Sequence, residues 1–311
     1  MRYVMEVENK ENALTTFDNI VFSHVTDLEG RPMDLKLSIT AAMGNTEMRT
    51  AMGWYVGEND KDEKVKRPVI VWINGGGWRG VEKNNQLGEL IWFARRGFAV
   101  ACVYYRSSAE GHMPAQIEDC KTAVRFLRAH AEKYSLDPDR FIVMGRSAGG
   151  HLTLSLSLND DRFVTDEWAD YSSNVQVGIN MFGAGDIWTM TKEHLEEEAA
   201  GKKLSNRWDT IWETHEGAAL GGPREDLLDR ALMYSPTRNI TEQMAPLMTL
   251  HGDADPLVDL QFSIDLYDDL CRRGREDKTD LMIIPGAGHG SAEFFQEPVK
   301  EKILAFIEKW I

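Results

Sequence analysis

From residue 141 the chain reads Phe141-Ile142-Val143-Met144-Gly145-Arg146-Ser147-Ala148-Gly149-Gly150-His151. The apolar run at its start is typical of a strand that is buried on both faces of a sheet. A tight turn follows, with glycines two residues before and two residues after Ser147, and then an apolar helix that runs to Leu158. A strand, a sharp turn and a helix in this order predict an α/β fold.

Similar apolar runs recur from residue 67 onward, separated by stretches of helical periodicity. This alternation predicts one domain over residues 1–311, with a mostly parallel central sheet and helices on both of its faces. The other predicted strands span residues 69–73, 98–104, 175–182, 247–250 and 281–284.

The clearest helix precedes the strand at residue 141. Apolar residues between Ile117 and Tyr134 recur at spacings of three and four, which places them on one helix face. Pro114 marks the start of this helix, and Leu136-Asp137-Pro138-Asp139 is expected to end it before the next strand begins.

Two regions depart from the alternation. In residues 1–66, weakly alternating segments flank Gly30-Arg31-Pro32 and predict an antiparallel hairpin at the sheet edge, followed by a charged loop over residues 58–66. Residues 185–239 are polar and helical and follow a strand end, where a lid is expected.

The composition narrows the class of partner. The 311 residues carry a net charge of −15, which repels nucleic acids and anionic membrane surfaces and favours a small-molecule substrate. No signal peptide and no run of about 18 apolar residues is evident, so a cytoplasmic protein is expected. Whether it forms a homo-oligomer stays open.

The cysteines point to no disulfide and no metal site. Cys102, Cys120 and Cys271 are odd in number, widely spaced and set among apolar residues, a pattern typical of reduced core thiols. No cofactor is expected.

Three polar groups fall at predicted strand ends, where open α/β sheets place their sites. Ser147 follows the strand at residue 141, Asp255 lies in a loop after the strand 247–250, and His289 lies between glycines after the strand 281–284. This chain order is the one that a nucleophile, acid and base follow in a triad on this type of sheet. His289 would take the proton of Ser147, and Asp255 would orient the imidazole.

Rivals exist for the acid and the base. Asp253 and Asp259 are alternatives to Asp255. His151 and His251 are expected to be structural, and the other histidines have no matching motif nearby: His24, His112, His130, His194 and His215.

The loop after the strand 69–73 reads Asn74-Gly75-Gly76-Gly77-Trp78. Its glycines allow the N–H groups of Gly76 and Gly77 to form an oxyanion hole together with the N–H of Ala148. The same loop has a competing interpretation, because Gly75, Gly77 and Gly80 match the spacing of a dinucleotide-binding loop, with Arg106 available for a 2′-phosphate.

Together these motifs resemble the α/β-hydrolase esterases related to hormone-sensitive lipase, in particular the bacterial feruloyl-esterase and acetyl-xylan-esterase-like branch. The resemblance spans residues 67–311. It implies an α/β-hydrolase fold and a serine carboxylesterase with a Ser147–Asp255–His289 triad. The family usually has His where this chain has Asn74, and Arg146 is larger and more basic than the usual residue before the nucleophile.

The expected reaction is hydrolysis of short acyl esters, acetyl above all, on a carbohydrate or similar small molecule. Trp78, Trp188, Trp208 and Trp212 are candidate stacking surfaces for the substrate, with Trp78 and Trp188 preferred, although a tryptophan at helical spacing is more often part of the core. Arg146 is expected to pair with an acidic side chain or to attract an anionic part of the substrate. The alternatives are a feruloyl or aryl esterase and a catalytically silent binding module on the same fold.

Overall fold

The computed structural model describes residues 3–5, 13–54, 65–80 and 82–311. These residues form one eight-stranded sheet. Its strands are β1 (Leu14–Thr26), β2 (Pro32–Ala42), β3 (Arg67–Ile73), β4 (Ala99–Val103), β5 (Leu136–Arg146), β6 (Val177–Met181), β7 (Leu247–Gly252) and β8 (Thr279–Ile284).

The strands lie in the order β1-β2-β4-β3-β5-β6-β7-β8. The pairs β1–β2 and β2–β4 are antiparallel, and every pair from β4 to β8 is parallel. The predicted edge hairpin is therefore confirmed as β1 and β2. Because β3 and β5 to β8 are parallel, their carboxyl ends meet at one edge of the sheet.

Helices cover both faces of this sheet, as the sequence predicted. They are α1 (Asn45–Met52), α2 (Leu87–Ala94), α3 (Ala115–Ala129), α4 (Ala148–Ser157), α5 (Ile187–Ala199), α6 (His215–Leu220), α7 (Leu227–Met233), α8 (Gln261–Arg272) and α9 (Glu297–Trp310). The short helix α1 was not anticipated.

The alternating side chains of the central strands separate two apolar clusters. Val71 and its neighbours on the same face pack with α3 and α4, whereas Trp72 packs on the opposite face with α2 and α9. Both residues are inaccessible to solvent. A strand that is buried on both faces needs a continuous apolar sequence. For this reason the central strands could be predicted from the sequence.

One expected chain break is wrong. The preceding helix α3 ends at Ala129, and Leu136-Asp137-Pro138-Asp139, which was expected to separate helix from strand, already belongs to β5. The reason is an irregularity in the register between β3 and β5, where Arg67 pairs with Leu136 and Val69 pairs with Phe141. Pro138 lies within this irregularity, where its missing N–H removes no regular ladder bond.

Of the predicted charged loop at residues 58–66, residues 58–64 lie outside the described part of the chain. The region between β6 and β7 is helical, with α5, α6 and α7 joined by 3₁₀ turns. The limits of a lid at residues 185 and 239 stay a prediction. None of the described helices has the length and apolar content needed to cross a bilayer.

Candidate active site

Ser147 occupies the turn between β5 and α4 in a strained backbone conformation. Its φ is 53° and its ψ is −123°, a region that non-glycine residues rarely adopt. The turn also brings α4 very close to β3, so that a Cβ on Gly149 would overlap the carbonyl oxygen of Ile73. The glycine at 149 is therefore required by the close approach of the two backbones.

The structure brings Ser147, His289 and Asp255 together across three strand ends. His289 Nε2 lies 2.8 Å from Ser147 Oγ, and His289 Nδ1 lies 2.7 Å from Asp255 Oδ2. Both distances are those of direct hydrogen bonds. The three side chains thus form a continuous chain from a hydroxyl through an imidazole to a carboxylate.

Asp255 is built to remain a carboxylate. Its side chain is inaccessible to solvent, and the N–H groups of Leu257 and Val258 donate to its Oδ1 at 2.8 and 3.1 Å. Burial alone would raise the pKa of Asp255, but hydrogen bonds from His251, His289 and these two N–H groups outweigh burial and hold the pKa below its usual value.

The rival acids lie elsewhere. Asp253 is exposed, and its Oδ1 accepts a hydrogen bond from the N–H of Gly286 at 2.6 Å. Asp259 is also exposed and accepts from the N–H of Gln261 at 2.9 Å. Both carboxylates are occupied in stabilising turns, and neither is hydrogen-bonded to His289.

His151 is a buried structural group, as expected. Its Nε2 lies 2.7 Å from the carbonyl oxygen of Tyr234, and burial lowers the pKa of His151 to about 4. His251 is also buried. Its ring nitrogens contact Ser263 and the carbonyl oxygen of Val258, and Nε2 lies 3.4 Å from Asp255 Oδ2. His251 therefore helps to position the Asp255 carboxylate.

The glycine loop after β3 contains three consecutive residues with positive φ. Gly76, Gly77 and Trp78 all have positive φ, with values of 135°, 59° and 56°. Gly76, Gly77 and Ala148 all line the cavity that contains Ser147. Their placement is compatible with an oxyanion hole, a role that stays a prediction.

Asn74, which stands where the family usually has His, anchors this loop. Its buried amide donates from Nδ2 to the carbonyl oxygen of Glu82 at 3.0 Å, and its Oδ1 accepts from Arg146 Nε at 3.0 Å. The hydroxyl of Tyr105 donates to the Asn74 carbonyl oxygen at 3.0 Å. The two departures from the family pattern, Asn74 and Arg146, are therefore one hydrogen-bonded pair.

The geometry excludes the competing dinucleotide interpretation. In a dinucleotide-binding unit the glycine loop opens directly into a helix, whose N-terminus binds the pyrophosphate. Here the next helix, α2, begins only at Leu87. Arg106 is also occupied, because its guanidinium lies 2.7 Å from the buried carboxylate of Asp119.

The cavity above Ser147 has a volume of about 510 Å³. One wall is the sheet edge with the triad, and the opposite wall comes from the helical region after β6. That second wall contributes Met190, His194, Ser205, Trp208 and His215. Residues of the predicted lid region thus line the same cavity as Ser147.

Sequence reasoning missed the polar network in the second wall. His194 Nδ1 lies 2.5 Å from the buried carboxylate of Glu216, and His194 Nε2 lies 2.8 Å from Ser205 Oγ. Burial opposes protonation of His194, but the hydrogen bond and charge of Glu216 outweigh burial and raise its pKa. His194 and Glu216 lie in different helices, so no local motif could have signalled their contact.

Neither of the two preferred tryptophans presents an open ring face to the cavity. Trp78 borders the cavity, but only 2% of it is exposed and its ring packs edge-to-face on His151, so the indole offers no face for stacking. Trp188 does not line the cavity and packs beneath the guanidinium of Arg238. It precedes the cavity-lining Met190 by two positions, which is roughly 200° around α5. Trp208, another of the candidate stacking residues, lines the cavity.

Comparison with known proteins agrees with this geometry. The BD-FAE family model matches residues 56–270, which include Ser147 and Asp255 and end before His289. The chain is 29% identical to the probable carboxylic ester hydrolase LipM of Mycobacterium tuberculosis over 68% of its own length and 46% of LipM. It is 27% identical to esterase LipC of the same organism over 74% of this chain and 55% of LipC. The chain spans about half the length of these curated relatives.

Solved structures show the same fold. A truncated carbohydrate esterase from gut microbiota superposes with a TM-score of 0.70 at 22% identity and covers 95% of both chains. The esterase Est2 of Thermogutta terrifontis superposes with a TM-score of 0.63 at 22% identity, covering 94% of this chain and 90% of Est2. The α/β-hydrolase fold predicted from the sequence is therefore confirmed, and the chain belongs to the BD-FAE family of α/β-hydrolase esterases.

Proposed function

We propose that the protein is a serine carboxylesterase that hydrolyses short acyl esters, acetyl above all, of a carbohydrate or similar small molecule. The observation that carries the proposal is the hydrogen-bonded chain from Ser147 Oγ through His289 to Asp255. This chain makes a silent binding module the weaker alternative, because a binding site has no need of an oriented hydroxyl, base and buried acid.

The proposed reaction has two stages. His289 takes the proton of Ser147 as Oγ forms a bond to the ester carbonyl carbon, and the N–H groups of Gly76, Gly77 and Ala148 stabilise the negative charge on the carbonyl oxygen. His289 then gives the proton to the alkoxide oxygen as the bond between carbonyl carbon and alkoxide breaks. In the second stage His289 takes a proton from water as the water oxygen bonds to the acyl carbon. It then gives that proton to Ser147 Oγ as the bond between the acyl carbon and Oγ breaks and the acid leaves.

The size of the cavity supports a small acyl group. Ligand sites range over roughly 300–1,000 Å³, and the cavity of about 510 Å³ must hold the alcohol part as well as the acyl part. The names of the carbohydrate-esterase neighbours support a sugar as the alcohol. A feruloyl ester would instead place an aromatic acyl group against Trp208 and Phe182, which also line the cavity.

An acyl-chain series tests the proposal. We expect kcat/KM for p-nitrophenyl esters to be highest for acetate or propionate, to fall from butyrate onward, and to be lower for feruloyl esters. Ser147→Ala should reduce acetate hydrolysis by at least a thousandfold, because the nucleophile is lost. Equal rates for the wild type and Ser147→Ala contradict the mechanism, and a maximum at eight or more carbons, or with feruloyl esters, contradicts the acyl preference.

A further inference from the structure

Arg146 carries a half-buried positive charge that no carboxylate of the described residues neutralises. Its side chain lines the cavity. Among the described residues, its guanidinium makes one hydrogen bond, which runs from Nε to Asn74 Oδ1. The buried guanidinium of Arg67, by contrast, lies 2.5 Å from Glu47, and that of Arg106 lies 2.7 Å from Asp119. A buried cation without a counter-ion is costly unless a ligand provides one.

The bond to Asn74 also orients the guanidinium. Because Nε is occupied, the two terminal nitrogens form the edge that is open to a ligand, and this planar edge matches the two oxygens of a carboxylate. A Cβ on Gly290 would lie 3.2 Å from Nη1 of Arg146. The absence of a side chain at Gly290 thus leaves this end of Arg146 uncovered where it faces the cavity.

The position of Arg146 indicates which part of the substrate it would meet. Gly290 directly follows His289, the group that protonates the departing alkoxide, so this side of the cavity accommodates the alcohol part of the ester.

The surrounding charges favour an anion at this point, although the protein as a whole is strongly acidic. Glu216, which lines the cavity, is engaged by His194, and the side chain of Asp255 is inaccessible. Arg207 also lines the cavity but is exposed at its mouth, where solvent screens its charge. Burial lowers the pKa of Arg146 from its usual value. A guanidinium nevertheless keeps its proton in proteins, so the side chain presents a positive charge.

We propose that Arg146 binds a carboxylate on the alcohol part of the ester, so that the substrates are acyl esters of an acidic sugar of the uronic-acid class. This inference rests on the proposed esterase function and specifies the alcohol that it acts on. Asn74 is then a positioning residue, which holds the guanidinium with its terminal edge toward the cavity.

A matched pair of substrates tests the proposal. The first is an O-acetylated methyl glucuronoside with a free carboxylate, and the second is the same compound as its neutral primary amide. Acetate release gives kcat/KM for each. We expect the wild type to prefer the carboxylate by at least about tenfold, the size of a charge-assisted hydrogen-bonded contact. In Arg146→Gln the preference should fall to within about twofold, mainly through a higher KM for the carboxylate.

The readout is the ratio of kcat/KM for the carboxylate to kcat/KM for the amide, measured on the same variant. A general loss of activity in Arg146→Gln lowers both values and leaves this ratio unchanged. Arg207→Gln is the matched control, since it removes an exposed guanidinium of the same cavity and should retain most of the preference. A wild type without preference for the carboxylate overturns the proposal, as does a preference that survives in Arg146→Gln or is lost in Arg207→Gln instead.

A second measurement, inhibition of the wild-type protein by the free alcohol, needs no variant. Methyl glucuronoside without acetyl groups should inhibit hydrolysis of p-nitrophenyl acetate by the wild type at least about tenfold more strongly than its amide. Equal inhibition contradicts a carboxylate site. Since hydrolysis of p-nitrophenyl acetate itself depends only on the esterase machinery, its absence would instead contradict the proposed function.

Discussion

At the scale of single residues, Asp255 illustrates how one carboxylate is distinguished from its neighbours. Asp253 and Asp259 lie in the same loop region, and the sequence left them as rivals to the preferred Asp255. The difference is burial: the Asp255 side chain is inaccessible and receives two backbone N–H bonds, whereas the rivals are exposed. In the proposed mechanism, such a group stabilises the imidazolium of His289 that forms as Ser147 loses its proton.

We predict that Asp255→Asn lowers kcat for p-nitrophenyl acetate by roughly a thousandfold or more, because the neutral amide stabilises the wrong tautomer of His289. KM should change little. Asp253→Asn is the matched control and should stay within a few-fold of the wild type. A kcat for Asp255→Asn close to that of Asp253→Asn would show that Asp255 is not the acid.

At the scale of elements, the turn between β5 and α4 holds the nucleophile through backbone contact. The N–H of Ser147 donates to the carbonyl oxygen of Met181 in β6 at 2.9 Å, and Gly149 packs against the end of β3. The strain at Ser147 is therefore maintained by neighbouring strands on both sides.

Gly149→Ala should destabilise the protein by about 3 kcal/mol or more, because the added methyl group overlaps the Ile73 carbonyl oxygen and neither backbone can move freely. Urea unfolding measures the change. Gly80→Ala is the control, since a Cβ there meets nothing within 4 Å, and it should change the free energy of unfolding by less than about 0.5 kcal/mol. Similar stabilities for the two variants would contradict the close packing of the turn.

The turn at Ser147 and the helical wall of the cavity differ in how far the sequence predicted them. The turn was predictable because its conformational demands fall on adjacent residues, a strand end, two glycines and a helix start. The helical wall was not, because His194, Ser205 and Glu216 meet only through the packing of separate elements. Trp188 was misplaced for a related reason, since composition indicates an aromatic residue in the region but not the direction in which its helix turns it.

At the scale of the whole molecule, buried histidines make stability depend on pH. His151 in α4 is fully buried and its pKa is lowered to about 4, whereas an unfolded histidine titrates near 6.5. Between these values the unfolded chain binds a proton that the folded protein does not, so the free energy of unfolding decreases as the pH falls.

We expect this contribution to remove up to about 3 kcal/mol of stability between pH 6.5 and pH 4. His151→Gln, which retains a donor for the Tyr234 carbonyl oxygen, should show a weaker decrease over the same window. Urea unfolding at pH 4.5, 6.5 and 8 gives the difference between wild type and variant. Identical pH dependence in the two proteins would contradict a neutral, buried His151.

The sequence by itself determined the sheet, the order of the strands that end in functional residues, and the identity of Ser147, His289 and the glycine loop as candidates. It did so because strand burial and tight turns impose local residue requirements. Only the tertiary structure decided which aspartate meets His289, that Asn74 holds Arg146, and that no carboxylate of the described residues forms a salt bridge with Arg146. These depend on distances between residues far apart in the chain, which no local pattern encodes.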